Sequence, residues 1–194
     1  MSYQVLRTIS ALTFSCNELA VTLAIKLDSA RVFCSRYVSK GLLVRVKRDI
    51  YVLRERWDYL SELEVMQIAN LIQVPSYVSL TTALSFYGYT TQLQPDYIES
   101  IGVRRTHNVK VINKEFNFTK IAVKYYTGFV RQQGVFIATP EKALTDALYL
   151  TSLGRYGLDL SALDVSRFDE GRIRHLTAVY PDKVKKLWGK ICTP

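Results

Sequence analysis

The sequence predicts an α+β protein: an N-terminal winged helix-turn-helix followed by a larger mixed α+β domain with C-terminal helices. Three observations carry this expectation. Helical periodicities near the N-terminus run directly into a basic, β-prone hairpin; the pattern changes near Arg54–Tyr59; and β-prone segments beyond that point are interleaved with capped helices. The expected domains are residues 1–56 and 57–194.

Val5, Leu6, Ile9 and Leu12 recur at helical spacing and predict a first helix. Ser15 followed by Glu18 forms a capping box that starts a second, running through Ile25. Asp28 is expected to cap a third, whose apolar set Ala30, Phe33, Cys34, Tyr37 and Val38 stops at Gly41, a residue suited to the left-handed C-terminal position. Leu42 to Leu53 then reads as two β-prone runs around the charged turn Lys47-Arg48-Asp49. Three helices and a basic hairpin make the winged arrangement, in which the third helix enters the major groove of DNA and the hairpin lies over the backbone.

A helix carrying Leu60, Leu63, Met66 and Ile68 opens the second domain. Tyr77 to Tyr89 predicts a short helix with Ser79 as cap and Gly88 as stop, and β-prone segments follow near Tyr97–Val103, Val109–Ile112, Phe118–Tyr126 and Val135–Ala138. Thr139-Pro140-Glu141 marks the clearest helix start, with a hydroxyl at the cap, proline at the first helical position and an acid in the first turn. Ala143, Leu144, Ala147, Leu148 and Leu150 give that helix its buried face; two further helical patterns, near Gly171–Val179 and Lys183–Ile191, flank Pro181.

The chain of 194 residues carries 26 Lys+Arg and 17 Asp+Glu, for a net charge of +9. Ten of the basic and four of the acidic residues fall in residues 1–56. A field of this sign draws polyanions, although a solvated basic surface has the same composition. The exposed face of the third helix, Ser29, Arg31, Val32, Ser35, Arg36 and Ser39, is basic and free of acid. Arg31 and Arg36 are the expected base or phosphate contacts, with Ser29 and Ser35 beside them, because a guanidinium bridges guanine or clamps a phosphate bidentately. Lys26, Lys40, Lys47 and Arg48 are expected as sequence-independent phosphate contacts. Double-stranded DNA is therefore the expected partner; the competing reading is a dimerisation or partner-binding module.

Catalysis and cofactors find no support in the motifs. No G-x-S-x-G, P-loop, G-x-G-x-x-G or H-E-x-x-H string occurs, and His107 and His175 stand far apart without neighbouring cysteines. A metal-dependent nuclease built on Asp96 needs a second carboxylate two residues before a lysine, and Ala122 precedes Lys124 at that spacing. No enzyme activity, cofactor or metal is expected. Glu141, Lys142 and Asp146 read as helix chemistry, with Lys142 and Asp146 an i,i+4 pair. Tyr125-Tyr126, Tyr87 and Tyr89 read as core and interface aromatics rather than a stacking platform for single strands. Cys16, Cys34 and Cys192 are expected as reduced thiols of a cytoplasmic protein, with no secretion signal or membrane span.

Tyr77-Val78-Ser79 through Ala83-Leu84 and Gly88, with Ile137-Ala138-Thr139-Pro140-Glu141-Lys142-Ala143-Leu144 and Asp146, resembles the core signature of AbiE-type (AbiEi family) antitoxins. Lys40 to Val46 and Ile50-Tyr51 resemble that family's winged-helix ending. The resemblance implies a bacterial antitoxin that represses its own operon by binding promoter inverted repeats, as a monomer or weak dimer that is cooperative on DNA. It also implies that the second domain counteracts a nucleotidyltransferase-like toxin in abortive phage infection. Asp49 stands where family members carry glycine before the second wing strand. The alternative is a winged-helix regulator with a ligand-sensing or dimerising second domain and no toxin partner.

Overall fold

A computed structural model describes residues 6–7, 9–92 and 94–192; Val5 and the side chain of Cys192 lie outside the described residues. The chain is mixed α+β and divides into two compact units, Met1–Ile68 and Ala69–Pro194. The division falls inside a helix, twelve residues beyond the position read from the change in pattern.

The first unit contains α1 (Cys16–Thr22), α2 (Leu27–Ser39), the antiparallel hairpin β1 (Leu43–Lys47) and β2 (Ile50–Leu53), and a single turn of helix, α3 (Arg54–Trp57). Its apolar core joins Leu6, Phe14, Leu19, Ala30, Phe33, Leu43, Tyr51 and Leu53 with the thiols Cys16 and Cys34. The expected capping box is present at α1: the Ser15 hydroxyl accepts from the Glu18 amide and the Glu18 carboxylate accepts from the Ser15 amide. Gly41, at φ +69°, ends α2 with the Leu42 amide donating back to the Tyr37 carbonyl.

Two expectations are corrected here. The helix predicted around Leu6, Ile9 and Leu12 does not form over the described residues: 6–7 make a 3-10 turn, 11–13 bend, and Phe14 exchanges two backbone hydrogen bonds with Tyr51 at 3.0 and 2.9 Å. A non-local pairing with the hairpin thus replaces the local helical one, and among the described residues two α-helices rather than three precede the hairpin. Asp28 does not cap α2. Lys26 occupies the cap position without a side-chain cap bond, and Asp28, two residues on in the first turn, pairs with Arg31 at 2.9 Å.

The second unit is built on a six-stranded mixed sheet of order β5-β6-β4-β3-β8-β7. The strands are β3 (Ser76–Val78), β4 (Tyr97–Gly102), β5 (His107–Val111), β6 (Lys114–Lys120), β7 (Phe129–Gln132) and β8 (Val135–Ala138). Helix α4 (Glu62–Ile72) precedes the sheet, α5 (Leu80–Phe86) follows β3 and α6 (Pro140–Ser152) follows β8; α7 (Glu170–Thr177) and α8 (Asp182–Cys192) close the chain. β3 runs parallel to β8 and antiparallel to β4, so the two signature-like segments meet at the centre of the sheet, with Val78 opposite Ile137. The cap at α6 is as read: the Thr139 hydroxyl accepts from the Lys142 amide and Pro140 opens the helix. Residues 76–78, read as the approach to a helix, are a strand, and Phe118–Tyr126 ends as a strand at Lys120 before a 3-10 turn over Val123–Tyr125.

Candidate nucleic-acid interface

The candidate interface is built from one helix and one hairpin of the first unit. Ala30, Phe33 and Cys34 face the core, which turns Ser29, Arg31, Val32, Ser35, Arg36 and Ser39 to solvent. Lys26, Lys40 and Arg48 are exposed as well, and Lys47 is half-buried. Arg31 and Arg36, five residues apart, are separated by about 140° around the helix, so they mark opposite edges of the exposed face. Lys40 leans over the Tyr37 ring at 5.8 Å.

Not all of these residues converge. A cleft of about 450 Å³ gathers Arg31 from α2, Arg45 from β1, and Arg48 and Asp49 from the hairpin turn, over Cys16 and Tyr51. Lys26, Ser29, Ser35, Arg36, Lys40 and Lys47 are not among its lining residues. Arg45 was missed by the sequence reading, which looked for cations at the tip of the hairpin. Its signal was the alternation of β1, where buried Val44 and Val46 leave the intervening side chain facing solvent.

Asp49 ties the hairpin turn to α1. Its backbone takes a left-handed φ of +61°, and its carboxylate accepts from the Cys16 amide at 2.8 Å. That hydrogen bond holds the carboxyl below its ordinary range, with Arg31 and Arg48 adding a smaller attraction. Asp49 therefore satisfies one of the free amides at the start of α1, a contact that glycine cannot supply. Beneath the cleft the Cys16 thiol donates to the Tyr51 hydroxyl at 3.8 Å. Burial raises the Cys16 thiol and pushes Cys34 and Tyr51 each up to about 12, so both thiols stay protonated and unreactive at neutral pH.

The second unit holds a different constellation. Lys142 and Asp146 are fully buried and 2.5 Å apart. The ammonium also donates to the Tyr125 carbonyl at 2.9 Å and the Tyr180 hydroxyl at 2.7 Å, so all three of its protons are used. The other Asp146 oxygen accepts from the Tyr77 and Ser79 hydroxyls, each at 2.9 Å. Ser79 stands at the N-cap of α5 as expected but makes no cap bond; its hydroxyl donates to Asp146 instead. Tyr125 stacks on Tyr180 with centroids 4.1 Å apart, and the Tyr77 and Tyr180 rings face the ammonium at 5.8 and 5.4 Å. Gly128 lies against this lysine: at φ +76°, a Cβ there would sit 3.1 Å from its side chain. The signature-like residues Tyr77, Ser79, Lys142 and Asp146, with Tyr125 and Tyr180, thus close one buried hydrogen-bonded network.

Other residues weighed from the sequence lie apart. Asp96 pairs with Lys114, whereas Lys124 leans over Tyr125. His107 stacks on Phe118, and His175 borders a pocket of about 320 Å³ with Thr139, Glu141, Gly171, Arg172 and Leu176. Among the described residues no three His, Cys, Asp or Glu side chains gather as a metal site, and no helix is long and apolar enough to cross a membrane.

No protein-family model and no curated protein matches the chain. Among solved structures it is similar to the RV2827C protein from Mycobacterium tuberculosis, with a TM-score of 0.64 at 11% identity over 97% of this chain and 73% of that one. The likeness is one of fold.

Proposed function

We propose that this protein is a DNA-binding regulator and antitoxin, acting by binding rather than catalysis. Its first unit works as a winged helix-turn-helix on the promoter of its own operon. α2 is the recognition helix, and the β1–β2 hairpin is the wing. The observation that carries this reading is the exposed face of α2 continuing into an arginine-lined cleft against the hairpin. Phosphate contacts from both elements would position the helix, and Arg36, on the outer edge of α2, would face base edges. The second unit counteracts a nucleotidyltransferase-like toxin in the cytoplasm; the signature-like segments packed around Lys142 and Asp146 support this part.

The test is binding of the full chain to a labelled duplex from upstream of its own gene, with competitor DNA, alongside Arg36→Ala. Specific binding that weakens in the variant supports the regulator, and no binding to any duplex sinks it. Co-expression with the neighbouring gene product tests the antitoxin: rescue of growth that persists in Arg36→Ala separates the two roles, and loss of both together refutes the division of labour. A second reading, a regulator whose second unit senses a ligand, draws on the pocket beside Glu141 and His175. It requires that a small molecule, and not a protein, change the affinity for DNA.

A further inference from the structure

We infer that the cleft between α2 and the hairpin is a seat for one backbone phosphate of double-stranded DNA, clamped by Arg31, Arg45 and Arg48, with Asp49 as the positioning residue of its floor. The inference rests on the DNA-binding reading and assigns a role to Arg45, a residue on the hairpin strand rather than its tip. Three guanidinium groups from three separate places in the chain border one cavity of about 450 Å³, ample for a phosphodiester group. Among the described residues no hydrogen bond or ion pair reaches the Arg45 or Arg48 guanidinium. Among the described residues the hydrogen bond and ion pair of the Arg31 guanidinium go to Asp28, in a pair whose partners are 62% and 90% exposed, and such pairs yield readily to a stronger anion.

The one acid in the cleft is already engaged. The Asp49 carboxylate takes the Cys16 amide at 2.8 Å, which fixes the turn carrying Arg48 against the start of α1 and sets the spacing between Arg48 and Arg31. Side chains of Cys16 and Tyr51, protonated at neutral pH, add no negative charge beneath. Three cations thus border a space that admits a phosphate, and a planar guanidinium fork matches phosphate geometry. A phosphate carries no base identity, so this seat anchors the helix without choosing the sequence.

The experiment uses the full chain, the promoter duplex and a random duplex of equal length, each titrated at 50 and 200 mM salt with wild type, Arg45→Ala and Arg45→Lys. Arg45 is exposed, so its replacement should leave the fold intact, and circular dichroism is the check on each variant. Losing one phosphate contact lowers the slope of log K against log salt by roughly 0.9, which over this fourfold salt range makes Arg45→Ala about 3.5-fold less salt-sensitive than wild type. Affinity at 50 mM should fall roughly tenfold on both duplexes alike, with partial recovery in Arg45→Lys. An unchanged slope in Arg45→Ala, or a loss confined to the promoter duplex, overturns the phosphate seat while leaving the DNA-binding reading intact. Failure of wild type to bind either duplex overturns both.

Discussion

Replacing Lys142 with methionine should cost the second unit about 4 kcal/mol. The side chain is fully buried, and its ammonium serves three acceptors: the Asp146 carboxylate, the Tyr125 carbonyl and the Tyr180 hydroxyl. Methionine fills much of the volume but leaves Asp146, itself at 0% exposure, with only the Tyr77 and Ser79 hydroxyls. Removing one member of a buried ion pair costs about 3–5 kcal/mol, because the survivor is a desolvated charge without its partner. Domain stabilities are on the order of 5–15 kcal/mol, so the variant should still fold, with a melting temperature lower by on the order of 10 °C. Urea denaturation followed by far-ultraviolet circular dichroism measures the loss. The double replacement Lys142→Met with Asp146→Leu should cost less than the two single changes added together, since it leaves no uncompensated charge. A loss below about 1 kcal/mol for Lys142→Met, or strict additivity in the double variant, would refute the view that these residues act as one network.

Three further outcomes follow from the geometry. Glu99 is 5% exposed, and burial pushes its carboxyl up to about 7 against the hydrogen bonds from Tyr156 and the Thr81 amide. The folded chain therefore holds a proton that the unfolded chain releases, and stability falls as pH rises from the ordinary carboxyl range to about 7. Glu99→Gln should remove that fall, gaining about 3 kcal/mol more at pH 8 than at pH 4.5 in urea titrations, and equal effects at both pH values would count against it. Gly128→Ala should destabilise by about 2 kcal/mol in thermal melts, from the left-handed backbone and the close approach to Lys142, and a neutral result would show that the lysine can shift. Asp49→Ala should cost about 2 kcal/mol through the lost cap on α1 and the positive φ, whereas Asp49→Asn, which keeps an acceptor and tolerates that backbone, should cost under about 1; equal losses would deny the cap.

Features decided within a few residues were legible in the sequence. The Ser15/Glu18 box, the Thr139-Pro140 start and the Gly41 and Gly88 stops all depend on local hydrogen bonds, and each lies where its residues imply. The exposed face of α2 was equally readable, because the burial of Ala30, Phe33 and Cys34 fixes it. Apart from the Asp28 cap, which a neighbour three residues on, Arg31, draws into an ion pair, what failed depends on partners distant in the chain. Leu6, Ile9 and Leu12 have helical spacing, but the strand-like pairing of Phe14 with Tyr51 decides how the chain enters the unit. Ser79 had the chemistry of a cap, yet a carboxylate 67 residues away claims its hydroxyl. Arg45 looked like one more cation in a strand; only the folding of α2 against the hairpin turns it toward Arg31 and Arg48.

The segment from Tyr77 to Thr82 has a consequence for what insertions the chain can tolerate. Tyr77 and Ser79 are bound to Asp146, while Ser79, Thr81 and Thr82 engage the Glu99 backbone or carboxylate. The stretch is keyed on both sides, like a tooth between two racks, so sliding it by one position would break every one of these bonds at once. Between β4 and β5 the Thr106 hydroxyl accepts from the Lys120 amide, but at the exposed Arg104–Arg105 step no side-chain hydrogen bond is made among the described residues, so evolution or design can lengthen the chain there without penalty of that kind. A single added residue between Val78 and Thr81 would unseat two buried acids together, so the step from β3 to α5 has a fixed length.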